Sequence, residues 1–321
     1  MKITIFLDGR AGHEKQSQAV AHELGRLAPV TIHQVVLAPV TVFGRMTEFL
    51  QILTRPITTD NDGVAGSDLL IGTGSRTHLV LLAYRKKLQR PIVTCMTPER
   101  FLRPWFDLCC VPRHDGIGAA ANILTIDGPP VLVKSVPAQR DPARGLILVG
   151  GTDERSHTWD GKGIVTAIDR IVQASQNVHW RISSSPRTPE ETVKRLQQLV
   201  AVRENTSFFH FRDTPRGWVE EQYSVSTYAW VSADSVSMVY EAVTSGCKVG
   251  IVPVQWHDEQ NKFVKSFDFL VQAGLVVLFV PGNERGIEHC GAGTFNEAQR
   301  CAVEIMRRFF PARESARDDS R

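Results

Sequence analysis

The chain alternates strand-like and helix-like segments, and this alternation occurs twice. In the first half, apolar stretches such as KITIFLD, VTIHQVVL and SDLLIGTG alternate with amphipathic stretches such as EKQSQAVAHELGRL. The pattern restarts in the second half with GLILVGG followed by DGKGIVTAIDRIVQAS. Repeated β-α units of this kind build a parallel sheet that is covered by helices on both faces. The sequence therefore predicts an α/β protein of two Rossmann-like, doubly wound domains that face a cleft.

A stretch rich in proline and charge, IDGPPVLVKSVPAQRDPARG, separates the two alternations. Its lack of periodicity predicts an N-terminal Rossmann-like domain over residues 1–140 and a C-terminal one over residues 141–285. The last helical pattern, NEAQRCAVEIMRRFF, is expected to cross back to the first domain within residues 286–321, ahead of a polar, disordered tail. A chain of 321 residues is long enough for two such cores.

Charge and cysteine content narrow the class of protein. A formal net charge of +3 is small for a nucleic-acid binder, so no nucleic-acid partner is expected, although a local basic patch could still meet phosphates or an anionic membrane. Six cysteines without C-x-x-C spacing indicate reduced, buried thiols in a reducing compartment. No zinc pattern is present in the sequence, and no metal site is predicted.

The hydrophobic segments are short. MKITIFLDG is interpreted as a first strand and not as a signal peptide, because no small-residue cleavage site follows it. No run of about 18 apolar residues is present, so no transmembrane helix is expected. These features predict a cytoplasmic protein. The helical stretch TVFGRMTEFLQIL has an apolar side that is a candidate for peripheral contact with the inner face of a membrane, or with an acceptor or partner.

A glycine-containing loop, DGRAGHE, joins the first predicted strand to the first predicted helix. Gly9 and Gly12 would let a ligand approach the backbone at a helix N-terminus, which favours anions. Arg10 offers a bidentate donor to a phosphate, and His13 offers a proton acceptor or a phosphate donor. A plain turn with solvated side chains is the alternative. The loop does not match G-x-G-x-x-G and has no acidic residue placed to bind a ribose, which argues against a nicotinamide cofactor.

The second half repeats this design. Gly150 and Gly151 end its first strand, and Thr152 can donate to an oxyanion. The loop SSSPRTP places hydroxyls and the Arg187 guanidinium after another strand, where they suit a nucleotide or a phosphate, or only cap a helix. In VSADSVSMVYEAV, serines precede a helix that carries Glu241, whose carboxylate can accept both hydroxyls of a ribose. The alternative there is an N-cap followed by a solvated glutamate.

Eight motifs in order along the chain resemble the mitochondrial fission (elongated-mitochondria) family, which has many bacterial members. They are DGRAGHEKQ, GSDLLIGTGSRT, FDLCCVPRHD, NILTIDG, GGTDERSHTWD, SSSPRTP, ADSVSMVYEAVTSGCKVGI and NKFVKSFDFLVQAGL. The family is similar to GT-B glycosyltransferases and, more distantly, to MurG, the lipid-linked GlcNAc transferase of peptidoglycan synthesis. Two departures from the MurG pattern put the acceptor in question: Asp8 and Arg10 in the first loop, and the charged insert 153–155 in the second.

The resemblance implies which residues bind which substrate. It places the acceptor, one candidate being a lipid-linked molecule, at the first loop and a nucleotide-sugar donor at the second domain. The implied acceptor- or phosphate-binding residues are Gly9, Arg10, Gly12 and Gln16. The implied donor-binding residues are Gly150, Gly151, Thr152, Ser184, Arg187, Thr188, Asp234, Ser235, Ser237, Met238 and Glu241. His13 is the candidate base for the acceptor hydroxyl, with Asp8 or Asp115 to orient it or to replace it.

The function that follows is transfer of a sugar from a nucleotide diphosphate sugar, most simply a UDP-sugar, to an acceptor. No cofactor is expected, because the nucleotide-sugar is the substrate and helix N-termini with basic groups can stabilise the leaving diphosphate without a metal. Two alternatives stay open: a catalytically silent GT-B-like binding or adaptor protein, and a nucleotide-sugar epimerase.

Overall fold

The computed structural model describes residues 1–38, 42–54, 63–133, 140–291 and 295–311, apart from the side chains of residues 42, 43, 45, 48 and 53. The chain divides into two compact units. Unit 1 comprises Met1–Leu132 together with Asn296–Arg321, and unit 2 comprises Val133–Phe295. The predicted tail beyond residue 311 and residues 134–139 of the predicted linker lie outside the described residues.

Unit 1 is built on a six-stranded parallel sheet with the strand order β2-β1-β3-β4-β5-β6. Its elements are β1 (Lys2–Leu7), α1 (Ala11–Leu27), β2 (Thr31–Val36), α2 (Val42–Thr54), β3 (Leu69–Gly72), α3 (Ser75–Leu88), β4 (Ile92–Thr94), β5 (Leu108–Pro112), β6 (Ile123–Ile126) and α9 (Glu297–Phe309). Successive strands are joined by crossovers, which is why all pairs are parallel. The order reverses between β1 and β3, so this is where a ligand crevice is expected.

Apolar residues cover both faces of this sheet. One buried cluster packs β1 and β3 residues such as Ile5 and Ile71 against α1 and α9, where Ile305 is fully buried. The other cluster packs Phe6 and Leu70 against α3. Because neighbouring strand residues point to opposite faces, the continuous apolar runs of the sequence are what a sheet buried on both sides requires.

Unit 2 repeats the architecture with a second six-stranded parallel sheet, in the order β10-β9-β7-β11-β12-β14. Its elements are β7 (Asp141–Leu148), β8 (His157–Thr158), α4 (Gly161–Ala174), β9 (His179–Ser183), α5 (Glu190–Val202), β10 (Thr206–Phe209), α6 (Trp218–Val225), β11 (Ser226–Ser232), α7 (Val236–Thr244), β12 (Lys248–Val252), β13 (Gln255–Trp256), α8 (Lys262–Gln272) and β14 (Val276–Leu278). β8 and β13 form a short antiparallel ribbon. The strand order reverses between β7 and β11, as in the dinucleotide-binding folds.

Five of these helices and strands were not predicted from the sequence: β6, β8, α6, β13 and α8. The α8 start lies inside a polar stretch, where the Asn261 side chain accepts hydrogen bonds from the backbone of Phe263 and Val264. This N-cap satisfies two of the free amides at the helix start. The helix itself is amphipathic, with Phe267 and Leu270 buried.

All six cysteines are free and buried, as the sequence predicts. Burial raises the pKa of the Cys109 thiol to about 12. The largest cause of the raised pKa of Cys110 is its hydrogen bond with the thiol of Cys301. This hydrogen bond connects β5 to α9. Thiols of this kind stay protonated at neutral pH and react slowly.

Among the described helices, none combines the length and the apolar character that crossing a bilayer requires. In α2, which has the apolar side singled out in the sequence, Met46 and Leu50 are each 53% exposed. The side chains of Phe43 and Leu53 lie outside the described residues. The face that the sequence suggests for a membrane or partner contact is thus described only in part.

Candidate functional site

The switch point of the unit 1 sheet brings two loops together. β1 and β3 are neighbours, and the chain leaves their carboxyl ends through Asp8–Arg10 into α1 and through Thr73–Gly74 into α3. Both helices therefore begin beside each other, with their N-terminal amides at the same edge of the sheet. Such an edge favours a bound anion, because the first amides of a helix lack partners within it.

Asp8 and His13 form a hydrogen-bonded pair at this edge. His13 Nδ1 lies 2.8 Å from Asp8 Oδ2, and the Asp8 side chain is 1% exposed against 20% for His13. An ionised carboxylate can only accept, so the pairing places the proton of neutral His13 on Nδ1 and leaves Nε2 as the nitrogen that can take a proton. The second oxygen of Asp8 accepts from the amide of Arg10 at 3.0 Å. A buried carboxylate that orients an imidazole is the arrangement of a general base.

Gly74 and Arg76 support this pair, although the sequence analysis did not assign either residue a role. Gly74 has a φ of 101°, and a Cβ atom at this position would collide with Asp8 Oδ2 and His13 Nδ1. Arg76 donates to the backbone carbonyls of Asp8, Leu37 and Ala38 and so holds the ends of β1 and β2 together. The Gly-rich turn IGTGSRT after β3 was the available signal for both.

The remaining predicted acceptor-side residues lie at the start of α1. Gly9 has a φ of 81°, and its amide donates to the Glu14 carboxylate at 3.0 Å. Arg10 is the N-cap residue of α1 and is exposed, as is Gly12. Gln16 follows one turn later and is half-buried. The structure therefore places all four at the start of α1, with Gly9 and Arg10 just before the helix and Gly12 and Gln16 in its first turns.

Asp115 lies apart from the Asp8–His13 pair. It belongs to a short 3-10 turn after β5, and β3 and β4 separate β5 from β1. With strands about 4.8 Å apart, the distance across the sheet is about 14 Å. Asp115 accepts a hydrogen bond from the Thr97 hydroxyl and lies 3.5 Å from His114 Nε2. This geometry favours Asp8 over Asp115 as the partner of His13.

The switch point of the unit 2 sheet holds the glycine pair. Gly150 and Gly151 follow β7, and Asp234 follows the neighbouring strand β11. The Gly151 amide donates to Asp234 Oδ2 at 3.0 Å, and the Gly150 amide donates to Ser232 Oγ at 2.7 Å. A Cβ at Gly150 would collide with the Asp234 carboxylate, and one at Gly151 with the backbone carbonyl of Arg187. Both positions need glycine for close packing, not for an unusual φ.

The loop after β9 completes this arrangement. Arg187 donates to Asp234 Oδ2 at 2.8 Å; its side chain is 42% exposed, whereas that of Asp234 is fully buried. Thr188 Oγ1 donates to the Val149 carbonyl at 3.1 Å, and the Thr152 amide donates to the Arg187 carbonyl at 3.1 Å. Ser184 is buried and accepts from the Phe211 amide. The structure therefore brings the predicted loops together, with the buried Asp234 carboxylate at their centre.

α7 begins directly after Asp234. Ser235 is its N-cap residue and is buried, whereas Ser237 is exposed. Met238 and Glu241 follow on the first turns, and both are half-buried. Burial and then the nearby Glu241 carboxylate raise the pKa of Tyr223 well above its usual value. The α7 start thus presents hydroxyls and helix amides next to the glycine pair, with a carboxylate between one and two turns away.

His157 is another residue that the predicted site did not include. It is 2% exposed, and its Nε2 lies 3.0 Å from the Gly151 carbonyl while Nδ1 lies 2.8 Å from Ser156 Oγ. Since a carbonyl only accepts, Nε2 carries a proton. The Gly151 residue is therefore held by Asp234 at its amide and by His157 at its carbonyl. The sequence signal was the histidine in the loop that follows the glycine pair.

The described residues contain no group of three or more histidine, cysteine, aspartate or glutamate side chains with the geometry of a metal site. Asp8, Asp234 and His157 instead direct their polar atoms to neighbouring loop atoms. These contacts explain their burial without a ligand, because a buried polar group needs a hydrogen-bond partner.

One family of sequences and several solved structures are similar to this chain. The model of the family described as Mitochondrial fission ELM1 matches residues 11–309. None of the curated proteins matches the chain. MurG of Acinetobacter baumannii is similar in structure, with a TM-score of 0.51 and 13% identity over 99% of this chain and 98% of that chain.

Two UDP-N-acetylglucosamine 2-epimerases are also similar in structure. The Neisseria meningitidis enzyme, bound to UDP-GlcNAc, has a TM-score of 0.51 and 14% identity over 96% of this chain and 99% of that chain. A second has a TM-score of 0.55 and 14% identity over 95% of each chain. These similarities concern the fold. They confirm the predicted fold class, two parallel-sheet α/β units of the GT-B type.

Proposed function

Since this chain belongs to the mitochondrial fission ELM1 family, whose model matches residues 11–309, we propose that it is a glycosyltransferase of the GT-B type. The donor is a nucleotide diphosphate sugar, with UDP as the nucleotide. The solved structures similar to this chain include MurG and an epimerase bound to UDP-GlcNAc. The proposal rests mainly on the glycine pair Gly150–Gly151. Asp234 holds this pair next to the α7 start, at the switch point of the unit 2 sheet.

The donor diphosphate is assigned to the α7 start and the glycine pair. Ser235 and Ser237 offer hydroxyls there, and the first amides of α7 carry the partial positive charge of a helix N-terminus. Gly150 and Gly151 keep side chains out of the way, so that a phosphate can approach the backbone. Glu241 is assigned to the ribose hydroxyls, because a carboxylate can accept from both.

Charge balance supports this assignment. A buried carboxylate beside a diphosphate would repel it, yet Asp234 is neutralised by Arg187 at 2.8 Å. Arg187 is 42% exposed and has further N–H groups that can donate to a phosphate oxygen. In this assignment Asp234 is a positioning residue: it fixes the Gly151 amide and the Arg187 guanidinium.

Unit 1 is assigned to the acceptor. His13 takes the proton of the acceptor hydroxyl on Nε2, and the oxygen then bonds to the anomeric carbon of the sugar as the bond from that carbon to the diphosphate oxygen breaks. The nucleoside diphosphate leaves with the bonding electron pair, and the imidazolium is stabilised by Asp8. Arg10 and the α1 start suit an acceptor that carries a phosphate, of which a lipid-linked molecule is one candidate.

Isothermal titration of the protein with UDP and UDP-GlcNAc tests the donor site. We expect saturable binding below millimolar concentration, and a loss of at least about tenfold in affinity for Glu241→Ala, because the ribose would lose a hydrogen-bond acceptor. Glu204→Ala is the matched control, since Glu204 is exposed in the turn before β10. Absence of nucleotide binding, or equal affinity for Glu241→Ala and wild type, would remove the donor assignment.

An epimerase is the second candidate, because two UDP-GlcNAc 2-epimerases share the fold with TM-scores of 0.51 and 0.55. The two reactions differ in their need for an acceptor. Incubation with UDP-GlcNAc alone, followed by NMR of the sugar, would show an isomerised sugar for an epimerase and unchanged substrate or slow hydrolysis for a transferase. An isomerised sugar would overturn the transferase proposal while it leaves the donor site in place.

A further inference from the structure

Two aromatic side chains project from unit 1 in the segment between β4 and β5. Phe101 is 73% exposed and Trp105 is 61% exposed, whereas the next residue, Phe106, is buried. Backbone hydrogen bonds from Leu102 and Arg103 to the Glu99 carbonyl, and from Trp105 to Leu102, wind the segment into consecutive turns. Large aromatic surfaces of this kind are normally buried, so their exposure on an ordered turn indicates a contact surface.

The surroundings of these aromatics are basic. Residues 82–107 contain six arginine and lysine residues and two acidic residues. Both acidic side chains are already engaged, Asp107 with Arg85 at 2.8 Å and Glu99 with His78 at 2.8 Å. The exposed basic residues of the segment are Lys86, Arg90 and Arg100. The local charge is therefore positive although the chain as a whole has a formal charge of only +3.

These groups lie on α3, on the loop that follows it and on the segment that packs beside it. Asp107 joins the last turn of α3, through Arg85, to the first residue of β4, through the Ile92 amide. Asn122, just before β6, donates to the carbonyls of Arg103 and Phe106. The aromatic segment therefore runs beside α3, from His78 in the first turn of that helix, which contacts Glu99, to Arg85 in its last turn, which contacts Asp107.

We propose that Phe101 and Trp105, with Lys86, Arg90 and Arg100, form a docking surface for an anionic lipid bilayer. Tryptophan and phenylalanine insert at the headgroup boundary, where an indole keeps its N–H in contact with water and its rings in an apolar environment. Arginine and lysine around them are attracted to acidic headgroups. Phe101 and Trp105 are the exposed aromatics of this turn, and the positive charge around them complements the acidic headgroups of such a membrane. This surface is independent of the proposed sugar transfer.

Co-sedimentation of the full chain with vesicles tests the proposal. We expect binding to vesicles of phosphatidylcholine with phosphatidylglycerol, weaker binding to phosphatidylcholine alone, and a further decrease as salt is raised. The double variant Phe101→Ser with Trp105→Ser, and separately the triple variant Lys86→Glu, Arg90→Glu and Arg100→Glu, should each lower the binding constant at least about tenfold.

Matched controls come from equally exposed positions of unit 2. Val202 is 72% exposed, so Val202→Ser controls for loss of exposed apolar surface, and Lys194→Glu on α5 controls for charge reversal. Both should bind vesicles as wild type does. Circular dichroism of every variant should match wild type, because the substituted side chains are exposed.

Fluorescence gives a second readout. Tryptophan emission should shift to the blue when anionic vesicles are added, and the shift should be lost in Trp105→Phe while co-sedimentation is largely kept. Three results would overturn the proposal: no binding to either vesicle type at low salt, variants that bind as wild type does, or binding that the Val202→Ser and Lys194→Glu controls reduce equally.

Discussion

Asp8 in unit 1 and Asp234 in unit 2 have the same structural role. Each is a buried carboxylate at the carboxyl end of a strand, and the oxygens of each form hydrogen bonds with groups of the neighbouring loops. Burying a carboxylate is costly unless its lone pairs are satisfied and a positive group is near. In both places the resulting hydrogen bonds fix the conformation of a loop at a switch point. A residue whose substitution changes such a loop should therefore affect function more than stability.

Gly74→Ala is the sharpest change at the His13 site. A methyl group there would collide with Asp8 and His13, and the φ of 101° is unfavourable for any residue with a Cβ. We expect a loss of about 1–3 kcal/mol in the free energy of unfolding, together with a changed chemical shift of His13 Nδ1 in NMR because the hydrogen bond with Asp8 is displaced.

Gly66→Ala is the matched control for Gly74→Ala. Gly66 has a φ of 78° and open space around its Cβ position, so Gly66→Ala should cost about 1 kcal/mol and leave the His13 Nδ1 chemical shift unchanged. The same His13 Nδ1 chemical shift in Gly74→Ala and in wild type would contradict the assigned contact.

Asp234→Asn tests whether the Asp234 carboxylate holds the Gly151 backbone and the Arg187 side chain in place. Asparagine has nearly the same shape but lacks the charge that holds Arg187, so we expect UDP affinity to fall about tenfold as the Arg187 side chain and the loop lose their fixed positions. Asp169→Asn is the control, because it weakens another Asp–Arg pair of unit 2, that with Arg203, on the outer helices. Equal UDP affinities for the two variants would show that Asp234 does not position the donor loop.

At the scale of elements, the sequence predicts long and periodic segments well and short ones poorly. α1, α4, α5 and α9 combine helical periodicity with length, and their existence follows from the sequence alone. α6 has only eight residues, too few for its periodicity to be distinguished from a polar loop. β6 has four half-buried or buried residues beside a proline-rich stretch, which conceals it. Both elements depend on packing against neighbours more than on their own composition.

The last helix, α9, offers a pH prediction at this scale. The Arg307 guanidinium, followed by that of Arg308, lowers the pKa of Glu304 from 4.5 to about 2. A carboxyl group whose pKa is lower in the folded state stabilises the protein above its unfolded pKa and loses that contribution as the pH falls. Because Arg307 is 63% exposed, solvent screening limits the contribution to about 1 kcal/mol.

We therefore expect Glu304→Gln to be less stable than wild type at neutral pH, and the difference to shrink as the pH falls from about 4.5 towards 2. Urea unfolding at a series of pH values measures it. Glu191→Gln is the control, since Glu191 is 68% exposed in its pair with Arg195 and should show little difference at any pH. A difference for Glu304→Gln that does not vary with pH would contradict the ion-pair origin.

At the scale of the whole molecule, the sequence alone predicts two parallel-sheet units and the loops at their switch points, because doubled β-α alternation and glycine-ended strands are visible in one dimension. Contacts between loops that lie far apart in the sequence cannot be predicted in this way. The hydrogen bond between Gly151 and Asp234 joins residues 83 positions apart. The close approach of Gly74 to Asp8 depends on β3 lying next to β1. These pairings follow only from the strand order.

The two units also differ in how the chain builds them. Unit 2 is one continuous segment, Val133–Phe295, whereas unit 1 needs Asn296–Arg321 in addition to Met1–Leu132. Residues of α9, among them Cys301, Ala302 and Ile305, are fully buried in the same core as β1 and α1. Loss of such a helix removes several buried side chains, each costing about 2–5 kcal/mol when a large one is truncated, which exceeds the reserve of a domain of this size.

Truncation after Phe295 should therefore unfold unit 1 and leave unit 2 folded. Limited proteolysis with mass spectrometry would then show rapid cleavage within residues 1–132 and protection of residues 140–291. Truncation after residue 311 is the control, because it keeps all of α9 and should leave both units protected. Since the donor site is assigned to unit 2, the Phe295 truncation should still bind UDP, and protection of residues 1–132 in it would show that α9 is not required by the unit 1 core.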